Sequence, residues 1–112
     1  RLWHAPAGES GFFVHSSARP DLPLESQTEE WLLWRRVHEA GRIHQSGRVM
    51  ICGHTAQKSG VPLVLPHAVC IDTWVFGDGW LTAFDVHAGE FIQCDEAGNT
   101  RRLRLHDLAA RT

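Results

Sequence analysis

Two histidines carry the chemistry that this sequence offers. The stretch "FVHSS" brings Phe13 and Val14 directly to His15, and "VMICGHTA" runs Val49, Met50, Ile51 and Cys52 into Gly53, His54 and Thr55. In each, an apolar run ends at an imidazole and is followed by small polar residues. A strand end holds a side chain accurately at the rim of a sheet, while the loop beyond it leaves room for a ligand. A neutral imidazole binds Mn, Fe or Zn through one nitrogen and donates to an acceptor from the other, so two rim histidines can serve one ion. The alternative is a pair of hydrogen-bonded structural histidines. With 8 His in the chain, accidental pairs are easily found, and pattern alone favours that alternative. Gly53 lets the backbone pass close to its neighbours, and Thr55 can orient the imidazole or a nearby backbone group.

The remaining titratable residues offer less. His4, His38, His44, His87 and His106 lack the strand-end setting and are expected to face solvent, while His67 stays without a role. Cys52, Cys70 and Cys94 are widely spaced and odd in number, as suits reduced thiols better than a disulfide framework or a CxxC metal knuckle. Trp31, Trp34, Trp74 and Trp80 are expected to pack in the core and at its rim, and Asp72 to accept hydrogen bonds near a strand end.

The elements that must position the histidines can be read from periodicity. Residues 11–14 form a short buried strand, and "SSARPDLPLESQ" with its two prolines is a loop. Thr28 before Glu29 and Glu30 is an N-cap, with Ser26 and Glu29 as a competing capping box. The helix is predicted to run to Ala40, with Leu33, Trp34, Val37 and Ala40 on one face and Gly41 as its stop. Residues 48–52 and 68–72 are predicted strands joined by an irregular connection over 56–67. Residues 80–86 and 90–95 form a hairpin broken at Gly89, residues 96–99 a turn, and 101–105 a final strand. The pattern is α+β, and apolar residues on both faces of several strands require burial on both sides.

Composition bounds the partners. At 112 residues, 43% apolar and 21% charged, the chain is sized for one small globular domain. Its formal charge of −2 comes from 11 basic and 13 acidic residues that are interspersed. No phosphate-tracking basic face or polybasic membrane patch results, so nucleic acid and membrane are poor partners. No apolar run approaches the roughly 20 residues that cross a bilayer, and no signal peptide is recognisable. A cytoplasmic setting is the expectation. The first residue is Arg1 rather than Met, which hints at a missing upstream portion.

The residues then resemble a known family, the metal-dependent serine/threonine protein phosphatases of the calcineurin-like metallophosphoesterase superfamily, in their bacterial and phage form. "FVHSSARPDLPLESQTEEWLLW" is similar to that family's V-H-A-G-x-R-P-G-x-P-L-x-x-Q with a following L-L-W. "VMICGHT" is similar to V-x-G-H-T-P, and "CIDTWVFGDGWLTAFDV" to I-D-T-G-A followed by G-G-x-L-T. The matches keep the family's order across residues 12–86. Ser16 and Ser17 stand for Ala-Gly, Ala56 for Pro, and Trp74 where many members have Gly; these departures bear on loop shape and substrate preference.

The resemblance implies a β-sandwich flanked by helices and a two-metal site, with Mn or Fe/Zn activating a water for attack on a phosphate monoester. His15 and His54 would be ligands of one metal, which reverses the preference drawn from pattern alone. Arg36, two residues after Trp34, would hold the substrate phosphate through its planar fork, with Arg35 as its rival. The family's D-x-H, G-D-x-x-D-R and G-N-H-[DE] motifs, which supply the other ligands and the leaving-group acid, do not occur here. Residues 1–112 thus match the C-terminal part of a catalytic domain, expected to be inactive without the N-terminal half. The expected activity of the complete enzyme is hydrolysis of phosphoserine and phosphothreonine proteins. Two alternatives remain: a diadenosine tetraphosphate hydrolase of the same fold, and a non-catalytic interaction module.

Overall fold

The computed structural model describes the backbone of residues 2–4 and the whole of residues 11–109. Within them lie β1 (Leu2–His4), β2 (Gly11–Val14), α1 (Glu29–Trp34), β3 (Val49–Cys52), β4 (Leu63–Val64), β5 (Ala68–Cys70), β6 (Trp80–Asp85), β7 (Glu90–Asp95), β8 (Thr100–Arg104) and α2 (Leu105–Ala109). The strands form two sheets, one of order β1-β2-β3-β5-β4 and one of order β6-β7-β8. The protein is a mixed α+β domain, as its apolar pattern requires.

At the centre of the first sheet β2, β3 and β5 run parallel. Phe12 lies opposite Met50 and Met50 opposite Ala68, while Phe13, Ile51 and Val69 form the next rung. β1 and β4 close the two sides antiparallel. Side chains alternate strictly between the two faces of this sheet. Phe12, Val14, Met50, Cys52, Ala68 and Cys70 pack with Ala18, Leu24, Val37 and Ala40 from the long connection between β2 and β3. Ile51 and Val69, with Phe13, Val49 and Ile71, pack instead with Phe91, Phe84, Leu103 and Leu108. A parallel sheet must be covered on both faces, and here one cover is the loop-and-helix layer and the other is the β6-β7-β8 meander with α2. Phe91, fully buried, stacks on Phe84 with ring centroids 4.5 Å apart.

The single helix predicted as far as Ala40 is corrected. α1 ends at Trp34, Arg35 and Arg36 are extended with ψ of 141° and 157°, and a separate 3-10 turn covers Val37–Ala40. The cause is tertiary. The Ser16 hydroxyl donates to the Arg35 carbonyl, and the Val37 N–H donates to Thr55 Oγ1 at 2.9 Å. These partners replace the helical ones. The predicted start holds, with Thr28 Oγ1 accepting from the Trp31 N–H at 3.4 Å, whereas Gly41, left-handed with φ of 71°, closes the separate 3-10 turn and not α1. Ser26 instead ends a short 3-10 turn, Leu24–Ser26.

Further expectations change. Residues 63 and 64, read as irregular, pair with β5, and α2 follows β8 without a sequence signal. Trp34 leaves the predicted apolar face and is 67% exposed. His44, expected in solvent, is buried, with Nε2 2.6 Å from the Leu22 carbonyl and Nδ1 2.9 Å from the Ser46 hydroxyl. His67 is likewise buried, against the Val37 carbonyl. His38, His87 and His106 are exposed as expected, and the His4 side chain lies outside the described residues. Among the described residues no helix is long and apolar enough to cross a membrane.

Candidate functional site

The parallel register delivers three polar side chains to one end of the sheet. His15 follows β2 directly, His54 lies two residues beyond β3, and Asp72 lies two residues beyond β5. The carboxyl ends of parallel strands are where open sheets bind ligands, because the chains diverge there into loops. Pairing continues just past the strands: the Gly53 N–H donates to the His15 carbonyl at 2.9 Å, and the Ile71 N–H to the Cys52 carbonyl at 2.8 Å. Gly53 packs its Cα against the His15 carbonyl, where a Cβ would sit 3.5 Å from that oxygen.

The two imidazoles come together. Their ring centroids are 5.2 Å apart with a 59° angle between planes. Two imidazoles bound to one divalent ion at about 2.1 Å, at a roughly tetrahedral angle, hold their centroids about 5 Å apart. The centroid separation is of the size that joint ligation needs. His54 reaches this position with φ of +64°, a left-handed backbone that costs a non-glycine residue about 1–2 kcal/mol. Backbone held in a sparsely populated region concentrates at sites of function. Among the described residues no group of three or more His, Cys, Asp or Glu side chains is placed to hold a metal ion. Two imidazoles alone bind a hard divalent ion weakly. Asp72, as expected, accepts a hydrogen bond near its strand end, from the Trp74 N–H to Oδ1 at 3.2 Å.

The residues that follow the histidines grip the segment containing Arg36. Ser16 donates its hydroxyl to the Arg35 carbonyl and its N–H to the Leu32 carbonyl, and Thr55 accepts from the Val37 N–H. Arg36 is thereby held between two residues anchored to the two histidine loops. Of the possible reading for Thr55, orientation of the imidazole or of a neighbouring backbone group, the structure shows the second. Thr55 is buried, so Thr55→Val strands a buried N–H, and we expect a loss of about 1–3 kcal/mol. Thermal denaturation should register a lower midpoint for that variant and a near-normal one for Thr55→Ser, which keeps the hydroxyl.

The two arginines differ in how they are used. The Arg35 guanidinium bonds Glu30 Oε1 at 2.6 Å and Glu39 Oε1 at 3.1 Å and lies over the Trp31 ring, and Glu30 first and then Glu39 raise its pKa above the ordinary value. It is fully engaged. The Arg36 side chain is exposed and has no hydrogen-bond or ion-pair partner among the described residues. Its backbone N–H is committed to Glu39 Oε2 at 2.6 Å, a bond that lowers the Glu39 pKa, and the Arg36 charge adds to that lowering. Arg36 is the free fork of the two.

Several site residues escaped the sequence. Trp34 stands edge-on to His54 with ring centroids 6.2 Å apart and an 85° angle between planes. Val75, Phe76 and Leu81 line a cavity of about 370 Å³ together with His15, His54 and Asp72. Beneath the His54 turn, Cys70 lies beside Cys52 on the adjacent strand with its sulfur 3.3 Å from the Thr55 carbonyl. The shared hydrogen bond and then burial push the Cys52 thiol well above its usual range, which keeps it neutral and inert. The glycine-rich "WVFGDGW" was the signal available for the cavity wall. No protein-family model, curated protein or solved structure matches the chain.

Proposed function

We propose that this chain is the C-terminal part of the catalytic domain of a metal-dependent serine/threonine protein phosphatase of the calcineurin-like metallophosphoesterase type. His15 and His54 hold one divalent ion, Mn by preference and Fe or Zn as alternatives, and Arg36 receives the substrate phosphate. The observation that carries this reading is the 5.2 Å approach of two imidazoles from distant parts of the sequence at the open ends of adjacent parallel strands. The ordered match of three motifs across residues 12–86 agrees with it.

When bound, such ions lower the pKa of a water and stabilise the attacking and leaving oxygens of an in-line displacement at phosphorus. The residues of this chain position and bind. Ser16 and Thr55 fix the backbone on either side of Arg36, whose guanidinium has two parallel donors to offer two phosphate oxygens. The carboxylate and asparagine ligands that would complete both metal sites belong, in this reading, to an N-terminal half.

The test is hydrolysis of a phosphoserine peptide by the full-length protein with added manganese, against diadenosine tetraphosphate as the competing substrate. Peptide turnover that disappears with chelator is the expected result; turnover of the dinucleotide alone, or of neither, overturns it. Arg36→Ala should raise KM for the peptide by about 10- to 100-fold, the cost of a lost charge-assisted pair of about 1.5–3 kcal/mol. Arg35→Ala should leave KM within about twofold, because its fork is already occupied.

A further inference from the structure

We propose that Gln93 and Arg101, on the second sheet, are positioning residues for the metal site: they hold the loop that carries His54 by its far end, at the Gly60 carbonyl. The inference rests on the phosphatase reading, because the ligand being placed is His54. Thr82, Gln93 and Arg101 lie opposite one another on β6, β7 and β8 and form one polar row across the meander. The next row, Phe84, Phe91 and Leu103, is apolar and packs against the first sheet. Gln93 is fully buried, and Thr73 and Thr82 are buried beside it. Replacing paired buried polar groups by apolar ones of the same shape is often neutral for stability, so stability alone does not account for an amide in this core. What a satisfied polar network adds is a fixed direction for each partner.

The protons of the row are directed one after another. Gln93 Nε2 donates to the Gly60 carbonyl at 2.9 Å and to Thr82 Oγ1 at 2.8 Å. The Thr73 hydroxyl donates to the Trp80 carbonyl, which leaves the Thr82 hydroxyl to donate to Thr73 Oγ1 at 2.5 Å. Arg101 Nε donates to Gln93 Oε1 at 2.6 Å and Nη2 to the Gly60 carbonyl at 2.9 Å, while the guanidinium lies 4.0 Å from the centroid of the Trp80 ring. The Gly60 carbonyl thus accepts from two strands at once. Gly60 is left-handed, with φ of +77°, and a Cβ there would stand 2.8 Å from Trp80 Cδ1, so the backbone is seated directly on the row.

A short path leads from this seat to the imidazole. The Gly60 N–H donates to the Gln57 carbonyl at 3.0 Å and closes a turn, and the Gln57 N–H donates to the Asp72 carbonyl at 2.8 Å. Gln57 Nε2 donates to the Thr55 carbonyl at 2.7 Å, one residue from His54. At the other end of the row, Thr73 adjoins Asp72. Both loops that border the imidazole pair are therefore fastened to the same three strands. The left-handed backbone of His54 persists only where its surroundings over-determine it, and this path supplies the constraint.

The experiment uses the full-length protein and reads manganese affinity by calorimetric titration, at a temperature well below every melting midpoint. Gln93→Leu should weaken manganese binding by about tenfold, the lower end of what partners beyond the ligands themselves contribute. Arg101→Met should do the same, and Arg101→Lys, which keeps a donor for the Gly60 carbonyl, should recover affinity to within about threefold of wild type. Leu103→Ala, in the neighbouring apolar row, is the control: it should lower the melting midpoint and leave affinity within about twofold. In the metal-free protein the His54 ring proton resonances should shift in Gln93→Leu and stay in place in Leu103→Ala. Wild-type affinity in both Gln93→Leu and Arg101→Met overturns the positioning role and leaves the phosphatase reading standing. An equal loss in Leu103→Ala, a loss without displaced His54 resonances, or no recovery in Arg101→Lys overturns it as well. Should Gln93→Leu not fold, Arg101→Met and Arg101→Lys, at a half-buried position, decide by the same criteria. Absence of manganese binding in the wild type overturns both readings.

Discussion

His54→Gly in the full-length protein should reduce manganese affinity by about 100-fold or more while leaving the melting midpoint unchanged or slightly higher. The two effects part because they arise from different atoms of one residue. The imidazole is the proposed ligand, and even an outer hydrogen-bond partner of a ligand is worth about 10- to 100-fold in affinity. The backbone is in the left-handed region with φ of +64°, a cost of about 1–2 kcal/mol to any L side chain that glycine does not bear. Glycine's larger entropy loss on folding, about 0.5–1 kcal/mol, offsets part of that relief. His54→Ala removes the ring and keeps the strain, so it should lose as much metal without any gain in stability. Calorimetric titration with manganese and thermal denaturation in chelator read the two quantities separately. Full manganese content and turnover in His54→Gly would remove His54 from the ligand set.

Phe91→Ala should lower stability by about 3–5 kcal/mol, the usual cost of emptying a large aromatic from a core. Against a total of about 5–15 kcal/mol for a small domain, this is a large fraction. At about 4–8 °C per kcal/mol for a domain of this size, the midpoint should fall by about 12 °C or more. Phe91 is fully buried and stacks on Phe84, and it belongs to the same apolar cluster as Ile51 of β3 and Val69 of β5. The damage should therefore reach the sheet that carries the histidines, read as lost hydrogen-exchange protection at residues 49–52. A midpoint shift below about 4 °C, with those amides still protected, would show that the meander folds apart from the first sheet.

What the sequence revealed follows the range of the forces involved. The strands around His15 and His54 were readable because alternation and burial are local signals: Val49 to Cys52 is apolar at every position, and both faces are covered in the structure. The hairpin at Gly89 and the Thr28 cap were readable for the same reason. The break at Arg35 was not. Leu33, Trp34, Val37 and Ala40 carry a sound helical period, and what interrupts it is a hydrogen bond donated by the Ser16 hydroxyl and one accepted by Thr55 Oγ1, residues remote in the chain. His44 was misread because its partners, the Leu22 carbonyl and Ser46, lie in loops that the pattern leaves unplaced. At the site, residue type and strand-end position picked out the two imidazoles, whereas their approach depended on the β2–β3 register. Arg36 could be separated from Arg35 only once Glu30, Glu39 and Trp31 were seen to engage its neighbour.

The register of β2 against β3 has one more consequence. Because His15 and His54 arrive on separate strands bridged by a long connection, no local segment of the polypeptide can offer both to an ion, and a chain lacking that long-range pairing presents one imidazole at most. On the proposed reading, metal capture is an all-or-none gauge of the assembled sheet. By mass action, a cation that recognises only the finished arrangement also stabilises it, so chelation should loosen these strands before it touches the hairpins beyond them.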